Sequence, residues 1–299
     1  MRFPQPPPFS YNSFGLVRTR CFGNSHFATI VPVSKDISHA LAGWPFDPER
    51  MNVRIVQGDN GREKIQVRLD LGVLQIDFDG RPDGERVGEF ESWFDHYLAR
   101  QQAHDLANPD GPTLLLEPED CLRLLREGVQ YYHRYLSFWS LERYELCARD
   151  TARNLKVFAF VREYARNDRD KLQFDQWRPY VTMMHTRAVA TPLVELRDYA
   201  AAIGAVDAGI EAIRQFLIDY EQLHRAEDCG ELQQLIHWRE EIVARQAGVP
   251  RLNTTVRTVE TIRAELDSAI AEERFEDAAR LRDEIRSASG GVTPNPGQM

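Results

Sequence analysis

The sequence predicts a mainly α-helical protein with a small antiparallel β-element near its start. Two patterns carry that prediction. Over residues 52–79 apolar and polar residues alternate, the period of a half-buried strand. After residue 113 apolar residues recur at intervals of three and four, the period of helices with one buried face.

Each element follows in order. "DISHALAGWPFDPER" (36–50) reads as a short helix and a turn punctuated by proline. Val53 and Ile55, then Ile65, Val67 and Leu69, then Leu74, Ile76 and Phe78 alternate with polar residues, with "GDNG" and "DLG" as turns between them. Three antiparallel strands are expected, at about 52–57, 64–70 and 73–79. A sheet this small needs cover on one face, and Trp44, Phe46 and a helix at 88–104 are the expected covers.

Pro118 suits the first turn of the next helix, and Glu119 and Asp120 suit its dipole. Leu122, Leu125, Val129, Tyr132, Leu136 and Trp139 form the expected core stripe of that helix. Leu141, Tyr144, Ala148, Thr151, Leu155 and Phe158 form that of its partner, with a hairpin break near 137–141. A helix beginning at Pro179 carries Val181, Met184 and Ala188, and Pro192 should end or kink it. "RDYAAAIGAVDAGIEAIRQFLIDY" places Tyr199, Ala202, Val206, Ile210, Ile213 and Leu217 on one stripe, with Gly204 and Gly209 expected to permit close helix approach. One more helix is expected over 230–246. The middle of the chain reads equally as a helical bundle or as TPR-like hairpins, since the echo of "ERYELCARDTARNL" in "RDYAAAIGAVDAGIEA" spaces Tyr144 and Tyr199 by 55 residues rather than the usual 34 or so.

The expected organisation is a disordered leader at 1–35, a β-meander with flanking helices at 36–105, a helical domain at 113–246, a linker at 247–254, a helical hairpin at 255–289 and a disordered tail at 290–299. The leader is proline-rich at its start and contains no acid. Natural translation beginning near Val33 is an alternative for it.

The 299 residues carry a net charge of −9. That balance gives no broad cationic face for nucleic-acid phosphates, so direct nucleic-acid binding is not expected. No apolar run reaches the roughly 18 residues of a membrane span. Cys21, Cys121, Cys147 and Cys229 lie far apart and make no metal-ligand pair, so they read as free thiols of a cytoplasmic protein. Asp77, Asp79 and Asp83 in "IDFDGRPDG" lack the spacing of a calcium loop and read as solvated turn carboxylates. His133 in "QYYHRYLSF" is the one candidate for a ligand groove or an enzymatic site, and His185 reads as core or near-core. No phosphate loop, nucleophile elbow or metalloprotease motif is found. No cofactor is expected.

The end of the chain is more specific. "TVETIRAELDSAIAEERFEDAARLRDEIR" resembles the UVR motif, the UvrB/UvrC motif, through Leu266, Ala269, Ile270, Phe275, Glu276, Ala278, Ala279, Leu281, Arg282, Asp283 and Ile285. The resemblance implies a helical hairpin and protein–protein coupling. A two-helix unit of about 35 residues is below the size that usually sustains itself. Its apolar edge therefore needs another surface. Leu266, Ile270, Phe275, Ala278, Ala279, Leu281, Arg282 and Ile285 are the expected partner-binding residues. The partners implied are another UVR-bearing protein, a Clp-type unfoldase or a nucleotide excision repair subunit, with a second copy of the chain as a further candidate. The reading is a non-catalytic bacterial scaffold or adaptor, with an auxiliary factor of excision repair as the alternative and an enzyme near His133 as the third.

Overall fold

The computed structural model describes residues 36–248. The expectations for the leader, the hairpin and the tail lie outside them.

Asn52–Gln57 (β1), Glu63–Leu69 (β2) and Gly72–Asp77 (β3) form a three-stranded antiparallel sheet in the order β1-β2-β3. Its register places Val53 opposite Val67 and Ile55 opposite Ile65, and then Val67 opposite Leu74 and Ile65 opposite Ile76. The alternation therefore yields one apolar face, as expected. Its cover differs from expectation. The short helix α1 (Ser38–Leu41) and the turn after it bring Trp44 to the polar face, where the Arg54 guanidinium stacks 3.9 Å from the indole centroid. Arg54 also donates to Gln66 on that face, so a tryptophan with a cationic partner is stable there. Phe46 is 40% exposed. The apolar face meets α3 (Pro118–Ser140), which packs on β2, while the helix after the sheet, α2 (Trp93–Ala107), packs on α3. Phe78, just past β3, meets Phe138 edge to face at 5.1 Å.

The helices pack in chain order. α3 pairs with α4 (Tyr144–Tyr164), α4 with α6 (Arg178–Glu195), α6 with α7 (Tyr199–Asp219), and α7 with α8 (Gly230–Gln246). Pro118 occupies the first turn of α3, and Glu117 and Asp120 close a capping box there. An eight-residue helix, α5 (Asp168–Asp175), follows α4. It was not predicted, because Phe174 is its only buried apolar residue. Pro192 sits inside α6, which ends one turn later at Glu195.

Three helices stop in the same way. Glu142 after α3, Arg197 after α6 and Glu221 after α7 have φ of 58°, 61° and 56°. Behind each, two reverse hydrogen bonds close the turn. Arg143 N donates to Phe138 O (2.8 Å) and Glu142 N to Trp139 O (3.1 Å). Asp198 N and Arg197 N repeat the pair on Leu193 and Val194, and Gln222 N and Glu221 N repeat it on Leu217 and Ile218. This is the left-handed C-terminal stop, built without glycine.

Two helix faces differ from the predicted ones. α3 buries Cys121, Leu124, Glu127, Gly128, Tyr131, Arg134, Tyr135 and Phe138. The predicted stripe lies beside that face, with Leu122 41% exposed and Leu125, Tyr132, Leu136 and Trp139 only partly buried. α4 buries Cys147, Asp150, Thr151, Asn154, Val157, Phe158, Phe160 and Val161, so Thr151 and Phe158 of the predicted stripe are buried while Ala148 and Leu155 are only partly so. The two faces meet at Gly128, whose carbonyl accepts from Asn154 Nδ2 at 3.0 Å. Charged pairs inside the contact displace the core by one step around α3 and widen it on α4 to take in Asp150 and Asn154.

The stripe of α7 is as expected, with Ala202, Val206, Ile210, Ile213 and Leu217 buried. Gly209 allows close approach, since a Cβ there would lie 2.1 Å from Thr186 Oγ1 of α6. Gly204 does not, because a Cβ there would meet nothing within 4 Å. One hydrophobic core runs through the sheet and helices together.

Candidate functional site

Asp120, Glu127 and Arg134 recur every seventh residue on α3, so they share one face of the helix, and all three are buried. Each is paired. Arg134, 1% exposed, holds Asp150 of α4 through two parallel bonds, Nε to Oδ2 at 2.6 Å and Nη2 to Oδ1 at 3.0 Å. Its Nη1 reaches the carbonyls of Asp77 (3.1 Å) and Gly80 (2.8 Å). The loop leaving the sheet is thereby bolted to the α3–α4 hairpin. Glu127 accepts from the backbone N–H of Trp93 (2.7 Å) and Phe94 (3.2 Å), the first turn of α2, and pairs with Arg153. A carboxylate there satisfies orphan donors and faces the positive end of the helix. Asp120 accepts from Tyr97 Oη at 2.7 Å and pairs with Arg100 and Arg123.

These groups hold one another in fixed geometry. The cluster fastens the sheet and α2 to the hairpin, and its carboxylates are engaged as acceptors. A signal for it was present in the sequence: charged residues at a seven-residue interval on one helix, among aromatics.

The predicted candidates fall as follows. Arg134, beside His133 in the sequence, points into the buried pair and not toward a groove. His133 is half-buried, with Tyr132 edge to face at 5.3 Å. His185 is half-buried, its Nδ1 lying 3.2 Å from Ala148 O and 3.1 Å from Thr151 Oγ1 on α4, as its near-core reading expected. Asp77, Asp79 and Asp83 pair with Lys64, Arg149 and Arg81. They are therefore not merely solvated turn carboxylates: Lys64 of the neighbouring strand reaches Asp77, Arg81 of the same loop reaches Asp83, and only Asp79, itself largely exposed, draws its arginine from a helix. Cys121 and Cys147 are buried free thiols and Cys229 is a partly buried one. Among the described residues no group of three His, Cys, Asp or Glu side chains could hold a metal, and no helix is long and apolar enough to cross a membrane.

Burial lowers the pKa of both His133 and His185 from the ordinary 6.5. The native state keeps each neutral, while the unfolded chain takes up a proton as pH falls past about 6.5. Their contribution to stability is present above that pH and is lost as pH falls toward the native values. The melting temperature should therefore drop between pH 7.5 and 5.5, and replacing both histidines by glutamine should remove part of that slope. An unchanged slope in the double variant would refute the assignment.

A second arrangement lies on the seam of α6 and α8. Arg187 of α6 sits 5.7 Å from the ring centroid of Trp238 of α8. Its Nε is buried with no hydrogen-bond acceptor among the described residues. Desolvation lowers its pKa, and the nearby Glu241 partly opposes that shift. Glu241 is itself 3.3 Å from His237 Nε2. The hydroxyl of Tyr180, two turns earlier on α6, is also buried and without a partner among the described residues.

Leu266, Ile270, Phe275, Ala278, Ala279, Leu281, Arg282 and Ile285 lie outside the described residues, in the segment that follows α8. The comparisons bear on that segment. The family model of the UvrB/uvrC motif matches residues 257–289. The chain thus carries a protein-interaction motif downstream of its helical body. No curated protein matches the chain, and no solved structure does.

Proposed function

We propose that the chain is a non-catalytic scaffold or adaptor of the bacterial cytoplasm that docks through residues 257–289, with the body of stacked, TPR-like hairpins presenting a second surface. The observation that carries this reading is the UvrB/uvrC motif at those residues. The body supports it, since its buried charged groups are spent on holding the sheet, α2 and the hairpin together. The partner is another UVR-bearing protein, a Clp-type unfoldase or an excision repair subunit, and the last two are the ones to test.

Binding of the purified full chain to each purified partner tests the proposal. Phe275→Ala should weaken that binding at least about ten-fold, because truncating a buried phenylalanine costs about 3–5 kcal/mol. It should leave the main unfolding transition in place. Binding that survives Phe275→Ala undiminished, or a collapsed main transition, would overturn docking through a separate hairpin. Binding of the repair subunit alone would select the repair role over the adaptor role.

A further inference from the structure

Arg187 is a half-buried cation without an ion pair among the described residues, on a chain of net charge −9. A guanidinium shielded from water needs an anionic or carbonyl acceptor to offset its desolvation. Trp238 supplies a face for it, and Glu241, the nearest carboxylate acting on it, makes its close contact with His237 at 3.3 Å and not with Arg187. Arg245 follows Trp238 by seven residues and so lies on the same face of α8. It too is half-buried and forms no ion pair among the described residues. The seam between α6 and α8 therefore offers two guanidinium groups without an ion pair among the described residues, Glu241 acting on Arg187 only at a distance.

The chain outside the structure carries the complement. Residues 255–288 contain nine acids and six arginines, beginning with Glu260, Glu265 and Asp267. They follow α8 after a short tether. The eleven residues 249–259 can span up to about 36–40 Å when extended. Trp238 lies ten residues before Gly248, about 15 Å along the helix. The tether reaches the seam with slack, and a tethered segment meets its site at an effective concentration in the millimolar range.

We propose that the α6–α8 seam is a docking site for the acidic segment of this chain's own C-terminal motif, with carboxylates from residues 260–284 seated on Arg187 and Arg245. The seam would then hold the interaction motif against the body and compete with its external partner. This rests on the reading of 257–289 as a docking module.

Hydrogen exchange of the full chain, read by mass spectrometry, tests it. Amides within 257–289 should be protected at low salt, and protection should fall as salt rises. The double variant Arg187→Gln, Arg245→Gln should lose about ten-fold of that protection, the scale of a charge-assisted hydrogen bond. Protection in α6 and α8 should persist, which shows that the body still folds. Equal exchange of 257–289 in both proteins would overturn the proposal. So would protection that rises with protein concentration, which would assign the contact to a second copy. So would a Glu241→Gln variant that alone abolishes the effect of the double variant, since Glu241 would then be the true partner of Arg187. Failure here leaves the partner-binding test with Phe275→Ala standing, so the two readings fail separately.

Discussion

Replacing Arg134 by methionine should lower the stability of the body by about 3–5 kcal/mol, the cost of leaving a buried charge without its partner. Asp150 would stay behind in the core without its two-bond partner, keeping only Arg149 Nε at 3.0 Å, and the carbonyls of Asp77 and Gly80 would lose their shared donor. The loop after β3 should loosen first, since Arg134 is what joins it to the hairpin. Thermal unfolding of the full chain reads the loss, and hydrogen exchange at residues 76–84 reads the loosening. Adding Asp150→Asn to Arg134→Met should recover part of the loss, because it removes the stranded charge. A single variant within about 1 kcal/mol of the parent would show that the pair adds nothing beyond its own desolvation.

Two glycines of one helix should respond with opposite signs. A Cβ at Gly209 would lie 2.1 Å from Thr186 Oγ1, 2.7 Å from Cγ2 and 2.9 Å from Cβ. Turning the threonine side chain cannot relieve a clash with its own Cβ, so α6 and α7 must part. Gly209→Ala should cost about 1–3 kcal/mol or more, as overpacking does. Gly204 is exposed and has open space around it. Gly204→Ala should gain about 0.5–1 kcal/mol, since alanine loses less backbone freedom in a helix. Denaturant midpoints of the two variants measure both effects. Equal shifts in the same direction would contradict the close approach at Gly209.

The strands and most helices were legible because their apolar periods are long and clear. Strand β1 spans the residues predicted for it, and so does α8. α5 was illegible because Asp168–Asp175 is polar almost throughout and buries only Phe174 and Asp175. The core face of α3 was misplaced for a different reason. An apolar stripe cannot select Glu127 and Arg134, which are buried only because Arg153 and Asp150 on α4 meet them. Trp44 was misplaced because cover was assigned by hydrophobicity, whereas Arg54 gives the indole a partner on the polar face. The interaction motif was legible in full as a sequence pattern. The α6–α8 seam was not, because Arg187 and Trp238 are far apart in sequence and join only when the helices stack.

The three helix stops at Glu142, Arg197 and Glu221 have a consequence for how this body assembles. A left-handed conformation costs an ordinary residue roughly 1–2 kcal/mol. None of the three is glycine, so the local sequence does not choose the bend at any of them. The bends are closed locally, by bonds that reach back five residues into the last turn of the preceding helix at Phe138, Leu193 and Leu217. All three of those residues are core or packed against it. Each connection therefore carries a local cost that its own residues do not offset, and the packing of Phe138, Leu193 and Leu217 into or against the core is what keeps the turn in place.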